Sequence, residues 1–254
     1  MEKPVDKKYP SVRTVSETER IGMVKEMFST ITGKYDFLNH FLSLRRDIAW
    51  RRFTVKKMRF FKTMRFLDVA CGTGDLSIDA ARRYGGISVI GADFVFQMLE
   101  LGKVKVEKKG LERRVTLMQG DALELPFCDG SFDVVGIAFG IRNIPDRERA
   151  LKEMLRVTAP GGAVMVLEMT FIQNPLFKLI YHVYLNHILP RLAKRFSPNP
   201  AAYHYLADSI MNFPQPDAFA AMMEKTGMVN VTKYPLTFGV TYLHVGIKPG
   251  EGGR

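Results

Sequence analysis

With 254 residues, 46% of them hydrophobic and 25% charged, the chain can bury one substantial core and is short for two full domains. A formal charge of +11 and a pI near 9.6 imply attraction to something anionic, whether nucleic acid, acidic lipid or a charged metabolite. Two cysteines are too few for a disulfide framework, and neither an apolar signal core at Met1 to Lys8 nor a run of about eighteen apolar residues occurs, so a soluble or peripheral protein of a reducing cytosol is expected.

Residues 1–15 are polar and basic and suggest no element. Ser16-Glu-Thr-Glu19 has the form of a capping box, and Ile21, Val24, Met27, Phe28 and Ile31 follow at helical spacing, predicting an amphipathic helix that ends near Gly33. The aromatic-rich stretch 34–50 ends on the single tryptophan, Trp50, which suits either the core of a second helix or a place over a ligand. Arg51, Arg52, Lys56, Lys57, Arg59, Lys62 and Arg65 then read as a solvated helix face.

From Arg65 the pattern becomes strand, turn, helix: apolar Phe66, Leu67, Val69 and Ala70 break at Gly72-Thr73-Gly74, and 75–84 continues at helical spacing. Glycines let the backbone pass close to a ligand, and the first such turn of an open α/β sheet is a common place for an adenosyl group. Ser77 stands where a dinucleotide fingerprint has its third glycine, and no lysine supplies a phosphate loop, which favours a nucleoside ligand without a pyrophosphate, S-adenosylmethionine first. The alternative is a turn that only joins strand to helix. Cys71 reads as a small residue beside the ligand.

A second strand, 87–93, ends in Asp93 about twenty residues past the turn, where an acidic side chain meets ribose hydroxyls. A helix over 96–109 and a strand over 115–119 follow, with Asp121 and Ala122 just beyond. A fourth strand over 134–139 carries Arg142 and Asn143 past its end. A helix over 146–157 is stopped by Pro160-Gly-Gly162 ahead of a fifth strand, 163–169. Alternating strands and helices predict a mainly parallel, doubly wound sheet. Residues 171–215 interrupt it with an apolar helix over 176–189 and another around 202–212, a stretch long enough to form a cap. His182 and His187 lack the spacing of a helical zinc pair, and no metal is expected. A last helix, 217–226, and strands at 229–234 and 240–247 close the chain as an antiparallel hairpin.

The combination of Asp68-Val-Ala-Cys-Gly-Thr-Gly-Asp75, Asp93, Asp121-Ala122 and Leu155-Arg-Val-Thr-Ala-Pro-Gly-Gly162 resembles class I S-adenosylmethionine-dependent methyltransferases. More narrowly, Lys34-Tyr-Asp-Phe-Leu-Asn39, Phe139-Gly-Ile-Arg-Asn143 and Tyr205-Leu-Ala-Asp-Ser-Ile210 are similar to the ubiquinone/menaquinone biosynthesis C-methyltransferase family, from about Glu17 to Lys248. The resemblance implies a Rossmann-like, seven-stranded, mainly parallel sheet with a reversed last hairpin. Residues 1–64 would form a helical extension and 65–254 the cofactor-binding domain, with 171–215 as a helical cap.

It also implies a polyprenylated quinol substrate, demethylmenaquinol or the methoxybenzoquinol of ubiquinone synthesis. The cofactor contacts would be Asp68, Gly72, Thr73, Gly74, Asp93, Asp121, Ala122 and Ala138. The family often has asparagine in place of Asp121 and serine in place of Ala138, where no hydroxyl is now available. Arg142, Asn143 and Tyr35 would serve the ring chemistry: Arg142 stabilising a developing phenolate or placing a water, the other two orienting ring oxygens. Arginine itself is too weak an acid to act as the base. Transient contact with an anionic membrane surface is expected from the apolar helix 176–189 and the basic faces, in the cytoplasm or at the inner face of the membrane; homo-oligomer formation stays open. A nucleic-acid methyltransferase would share the charge, but no Asn/Asp-Pro-Pro-Tyr/Phe motif is present and no nucleic-acid partner is expected. A non-catalytic cofactor-binding protein on the same fold is the other alternative.

Overall fold

The computed structural model describes residues 9–11, 14–31, 36, 40–41, 43–171, 179, 183–184, 199 and 201–250. Helix α1 (Glu17–Ile31) starts at the expected capping box: the Glu19 amide donates to Ser16 Oγ at 3.3 Å, and Glu19 Oε2 accepts from the Ser16 amide at 2.9 Å. Helix α2 (Arg46–Lys57) follows, and then the alternating units β1 (Arg65–Val69), α3 (Asp75–Arg83), β2 (Ser88–Asp93), α4 (Phe96–Lys108), β3 (Val115–Gln119), β4 (Phe132–Ala138), α5 (Arg147–Val157) and β5 (Thr158–Met169). Helices α6 (Ala201–Met211) and α7 (Pro216–Lys225) precede the final pair β6 (Val229–Leu236) and β7 (Thr241–Ile247).

The seven strands run in the order β3-β2-β1-β4-β5-β7-β6, with β1 to β5 parallel and β7 antiparallel to both neighbours. Strand alternation divides the apolar residues between two cores. Phe66, Val134, Met165 and Leu167 pack with Trp50 and Val55 of α2 and Leu76 of α3, while Leu67, Val135, Ile137 and Val166 pack with Leu151 and Met154 of α5 and Phe219 of α7. Both faces are covered, which is why these strands read as near-continuous apolar runs. A third cluster joins Val24 and Met27 of α1 to Ala202, Tyr205 and Ile210 of α6. Strand order reverses between β1 and β4, so the crevice outside their carboxyl ends is the binding place of such a sheet.

Pro160-Gly-Gly162 does not stop the chain ahead of β5 but lies inside it. Phe132 pairs with Thr158, the register shifts, and Val134 then pairs with Ala163. Gly161, at φ +78, donates its amide to the Lys248 carbonyl at 2.9 Å, and the Lys248 amide donates to Gly162. A Cβ on Gly162 would sit 2.6 Å from the Asp133 carbonyl oxygen. Glycine here permits a bulge rather than a break. The expected helix 176–189, with His182 and His187, lies mostly outside the described residues. Among those described, no group of three or more His, Cys, Asp and Glu side chains is placed to hold a metal ion, and no helix is long and apolar enough to cross a membrane.

Candidate active site

A cavity of about 250 Å³ lies outside the carboxyl ends of β1, β2 and β4, beneath Ile21, Val24 and Phe28 of α1 and Leu206 and Ile210 of α6. Two non-glycine residues enter it in the left-handed region, Ala70 (φ 51) after β1 and Phe139 (φ 59) after β4. Such conformations are costly for residues with a Cβ and persist where the surrounding structure holds them. Gly72 and Gly74 continue the first turn at φ +55 and +79. A Cβ built on Gly72 meets nothing within 4 Å, which leaves open space at the cavity wall, whereas Gly74 is the N-cap of α3 and faces Leu117.

Carboxylates organise this turn. Asp93 Oδ2 accepts from the Gly72 amide at 2.7 Å and Oδ1 from the Val95 amide at 2.8 Å, tying the end of β2 to the turn after β1. Burial raises the Asp93 pKa, and these backbone donors partly offset the rise. Asp68 Oδ2 accepts from the Ser77 amide at 3.0 Å and the Ser77 hydroxyl at 2.6 Å, so it fastens the first turn of α3. Burial pushes its pKa up to about 7 against the pull of Ser77. Both carboxylates line the cavity. Burial also pushes the Cys71 thiol well up, which suits an inert wall residue.

Thr73 lines the cavity too, but its hydroxyl is engaged: it donates to Asp36 Oδ1 at 2.7 Å and accepts from Lys105 Nζ at 2.9 Å. Lys105 also meets Asp75 at 2.5 Å. Arg51 differs from the expected solvated cation. It is buried, lines the cavity, and pairs with Asp47 at 2.8 Å and Asp75 at 3.2 Å. Asp47 further holds His40 Nδ1 and Ser43 Oγ, both at 2.6 Å. Trp50 is a core residue of α2 that also lines the cavity: it donates Nε1–H to Thr237 Oγ1 at 2.9 Å, and its ring lies 6.0 Å from that of Phe139.

Across the cavity, the 3₁₀ turn Ile141–Asn143 follows β4. Arg142 is buried there, not a surface cation, and pairs with Glu168 of β5 at 2.7 Å. Asn143 lines the cavity with a buried Oδ1 that has no hydrogen-bond partner among the described residues, a polar atom left for a ligand. Asp121, Ala122 and Ala138 line it as well; Asp121 is exposed and accepts from the Leu123 amide at 2.8 Å. Tyr35 lies outside the described residues. Sequence reasoning missed Arg51, Asp47, Lys105 and Glu168. The i,i+4 spacing of Asp47 and Arg51 was a usable signal, and so was a carboxylate at the carboxyl end of β5.

An open turn, a carboxylate tied to it from the end of β2 and an apolar wall fit an adenosyl group. Residues 13–248 match the ubiE/COQ5 methyltransferase family. The chain belongs to that family. It is 46% identical over 223 residues to the demethylmenaquinone methyltransferase of Thermus thermophilus, covering 88% of this chain and 100% of that one. It is 44% identical over 232 residues to the ubiquinone/menaquinone biosynthesis C-methyltransferase UbiE of Geotalea daltonii, covering 91% and 98%. Among solved structures, phosphoethanolamine N-methyltransferase 2 of Haemonchus contortus, in complex with S-adenosyl-L-methionine, matches with a TM-score of 0.63 at 17% identity, over 93% of this chain and 60% of that one. A methyltransferase of Aquifex aeolicus gives 0.56 at 16% identity, over 78% and 88%. These structural likenesses carry the fold, while the family match carries dependence on S-adenosylmethionine.

Proposed function

We propose that the protein methylates a ring carbon of a polyprenylated quinol, demethylmenaquinol first, in menaquinone or ubiquinone biosynthesis. One observation carries the reading: Arg142 and Asn143 line the same cavity as the Gly72 turn and Asp93, so a ring held by the first pair meets a methyl donor held by the second. S-adenosylmethionine, when bound, supplies an electrophilic methyl on a good leaving group. Asp93 would accept hydrogen bonds from its ribose hydroxyls, the missing side chain of Gly72 would let the protein backbone come close to it, and the Asp121–Ala122 segment would lie beside its base.

The ring carbon becomes nucleophilic when a neighbouring hydroxyl, a phenol with pKa about 10, gives up its proton to a water placed by Arg142. After transfer the hydrogen on the methylated carbon leaves to solvent and the ring regains its aromaticity. Arg142 stabilises the negative charge that develops on that oxygen, and the Asn143 amide orients it. The apolar helix residues above exclude water and hold the ring in line with the methyl. In this reading α1, from the N-terminal extension, and α6, from the segment expected as a cap, cover the cavity. The test is turnover on reduced demethylmenaquinol and on the methoxybenzoquinol, with Arg142→Ala as control. Binding of the methyl donor without transfer to either quinol overturns the assignment.

Delivery of so apolar a substrate favours contact with the membrane, at its cytoplasmic face. Leu44 and Phe238 are 81% and 77% exposed; Leu44 precedes α2, whose Trp50 donates to Thr237 next to Phe238, and exposed Arg45 and Arg46 follow Leu44. Apolar tips beside cations suit an anionic interface. Cosedimentation with acidic vesicles at low salt is the expected result, weakened in a Leu44→Ser/Phe238→Ser variant. Equal recovery with and without vesicles removes this part of the reading.

A further inference from the structure

Glu168, one residue from the end of β5, is 1% exposed and is not among the residues lining the cavity. Its carboxylate nevertheless holds Arg142 twice. Oε1 accepts from Arg142 Nη1 at 2.7 Å and Oε2 from the Arg142 amide at 3.2 Å, with the Met169 amide completing the set at 2.9 Å. Arg142 Nη1 also donates to the Phe139 carbonyl at 2.6 Å. From the other side, Arg20 of α1 and Arg147 of α5 both donate to the Arg142 carbonyl. Sheet register makes the meeting possible: Ala138 pairs with Leu167, so Glu168 stands beside the exit from β4. A buried ion pair is a poor source of stability compared with apolar packing, and its value here lies in fixing one arrangement.

We infer that Glu168 is a positioning residue for Arg142: by bonding both the amide and the guanidinium, it sets the Ile141–Asn143 turn and aims Arg142 at the ionising oxygen of the substrate. The inference rests on the quinol reading above. Two roles for Glu168 have opposite signatures. As a mere counter-charge, its removal would leave the Arg142 charge unneutralised and lower the pKa of a phenol bound beside it. As the group that aims Arg142, its removal lets the guanidinium swing away and raises that pKa.

The experiment compares Glu168→Gln, Arg142→Ala and the double variant in the full chain. It measures kcat and KM on the reduced quinol, and the pH at which bound 1-naphthol ionises, followed by absorbance. Glu168→Gln is expected to lower kcat about 30-fold with KM within about threefold, to raise the pKa of bound 1-naphthol, and to add nothing in the Arg142→Ala background. Glu168→Asp recovers part of the loss and carries both readouts should the glutamine variant fail to bind the methyl donor. An unchanged kcat, a lowered naphthol pKa, or the same fold loss with and without Arg142 overturns the inference. If wild type methylates neither quinol while the naphthol pKa follows the expected pattern, the quinol reading fails and the positioning role stands.

Discussion

The two sides of the cavity carry opposite charge. On the side of β1 and β2, Asp36, Asp47, Asp68, Asp75 and Asp93 outnumber Arg51 and Lys105; beyond β4 and β5, Arg20, Arg142 and Arg147 outnumber Glu168. The acidic side suits a sulfonium with an ammonium group, and the basic side suits a ring oxygen acquiring negative charge. These fields act on donor binding and on ionisation of the ring hydroxyl; the transfer itself neutralises the two charges, so they do not by themselves speed the bond-forming step. The pKa shifts fit the contrast. Burial alone would raise Asp75, but Arg51 and Lys105 outweigh it and hold it low, while burial and the neighbouring Arg20 lower Arg147.

The largest test of this contrast is Arg142→Ala. Loss of a donor aimed at the developing charge is expected to lower kcat by about 10²- to 10³-fold. Donor affinity, measured by calorimetry, should stay within about threefold, because Arg142 belongs to the other side. A comparable loss in donor affinity would erase the division into two sides.

Asp93→Ala is expected to do the reverse. Removing an acceptor of charge-assisted hydrogen bonds should raise the dissociation constant for S-adenosylmethionine by about 10- to 100-fold. The Gly72 amide loses its 2.7 Å acceptor at the same time, so part of the effect comes through the turn. Turnover at saturating donor should remain within about fivefold of wild type.

How far these positions could be read from sequence depends on how local their causes are. Strand β3 occurs where its apolar alternation places it, and the other strand boundaries shift by a few residues, because both faces are covered by neighbouring helices in the chain. Pro160-Gly-Gly162 reads as a stop because its strand partner is Lys248, far along the chain and invisible to local pattern. Arg51 reads as solvated because its second partner, Asp75, belongs to a helix that only packing brings near. Glu168 and Arg142 are 26 residues apart, joined by the register of two parallel strands. The cofactor side was legible because one turn and one strand end build much of it; the opposite side draws on α1, α5 and β5 together.

Asp68 supplies a pH-dependent test. Its pKa near 7 without a ligand reflects burial first, and a cation bound beside it favours the ionised form. Binding therefore releases a proton, and affinity for S-adenosylmethionine should rise up to about tenfold between about pH 6 and pH 8. Asp68→Asn should flatten that slope in calorimetry. The stability of the unliganded protein runs the other way: a carboxylate with a raised folded pKa stabilises fully below about pH 4 and loses that contribution as pH rises through about 7. A melting temperature that rises relative to Asp68→Asn over this window would contradict the shift.

Arg147→Met gives the smallest effect and the sharpest distinction. Arg147 donates to the Arg142 carbonyl at 3.3 Å and lies over the Phe213 ring at 5.5 Å, so methionine keeps the packing and removes the charge. If the basic side acts as a field, kcat should fall about threefold at low ionic strength, and added salt should narrow the difference from wild type only in part, because a half-buried charge is screened less than an exposed one. If Arg142 acts through its own hydrogen bonds alone, kcat is unchanged at every salt concentration. Donor affinity is expected to be the same in either case, since the acidic side is untouched.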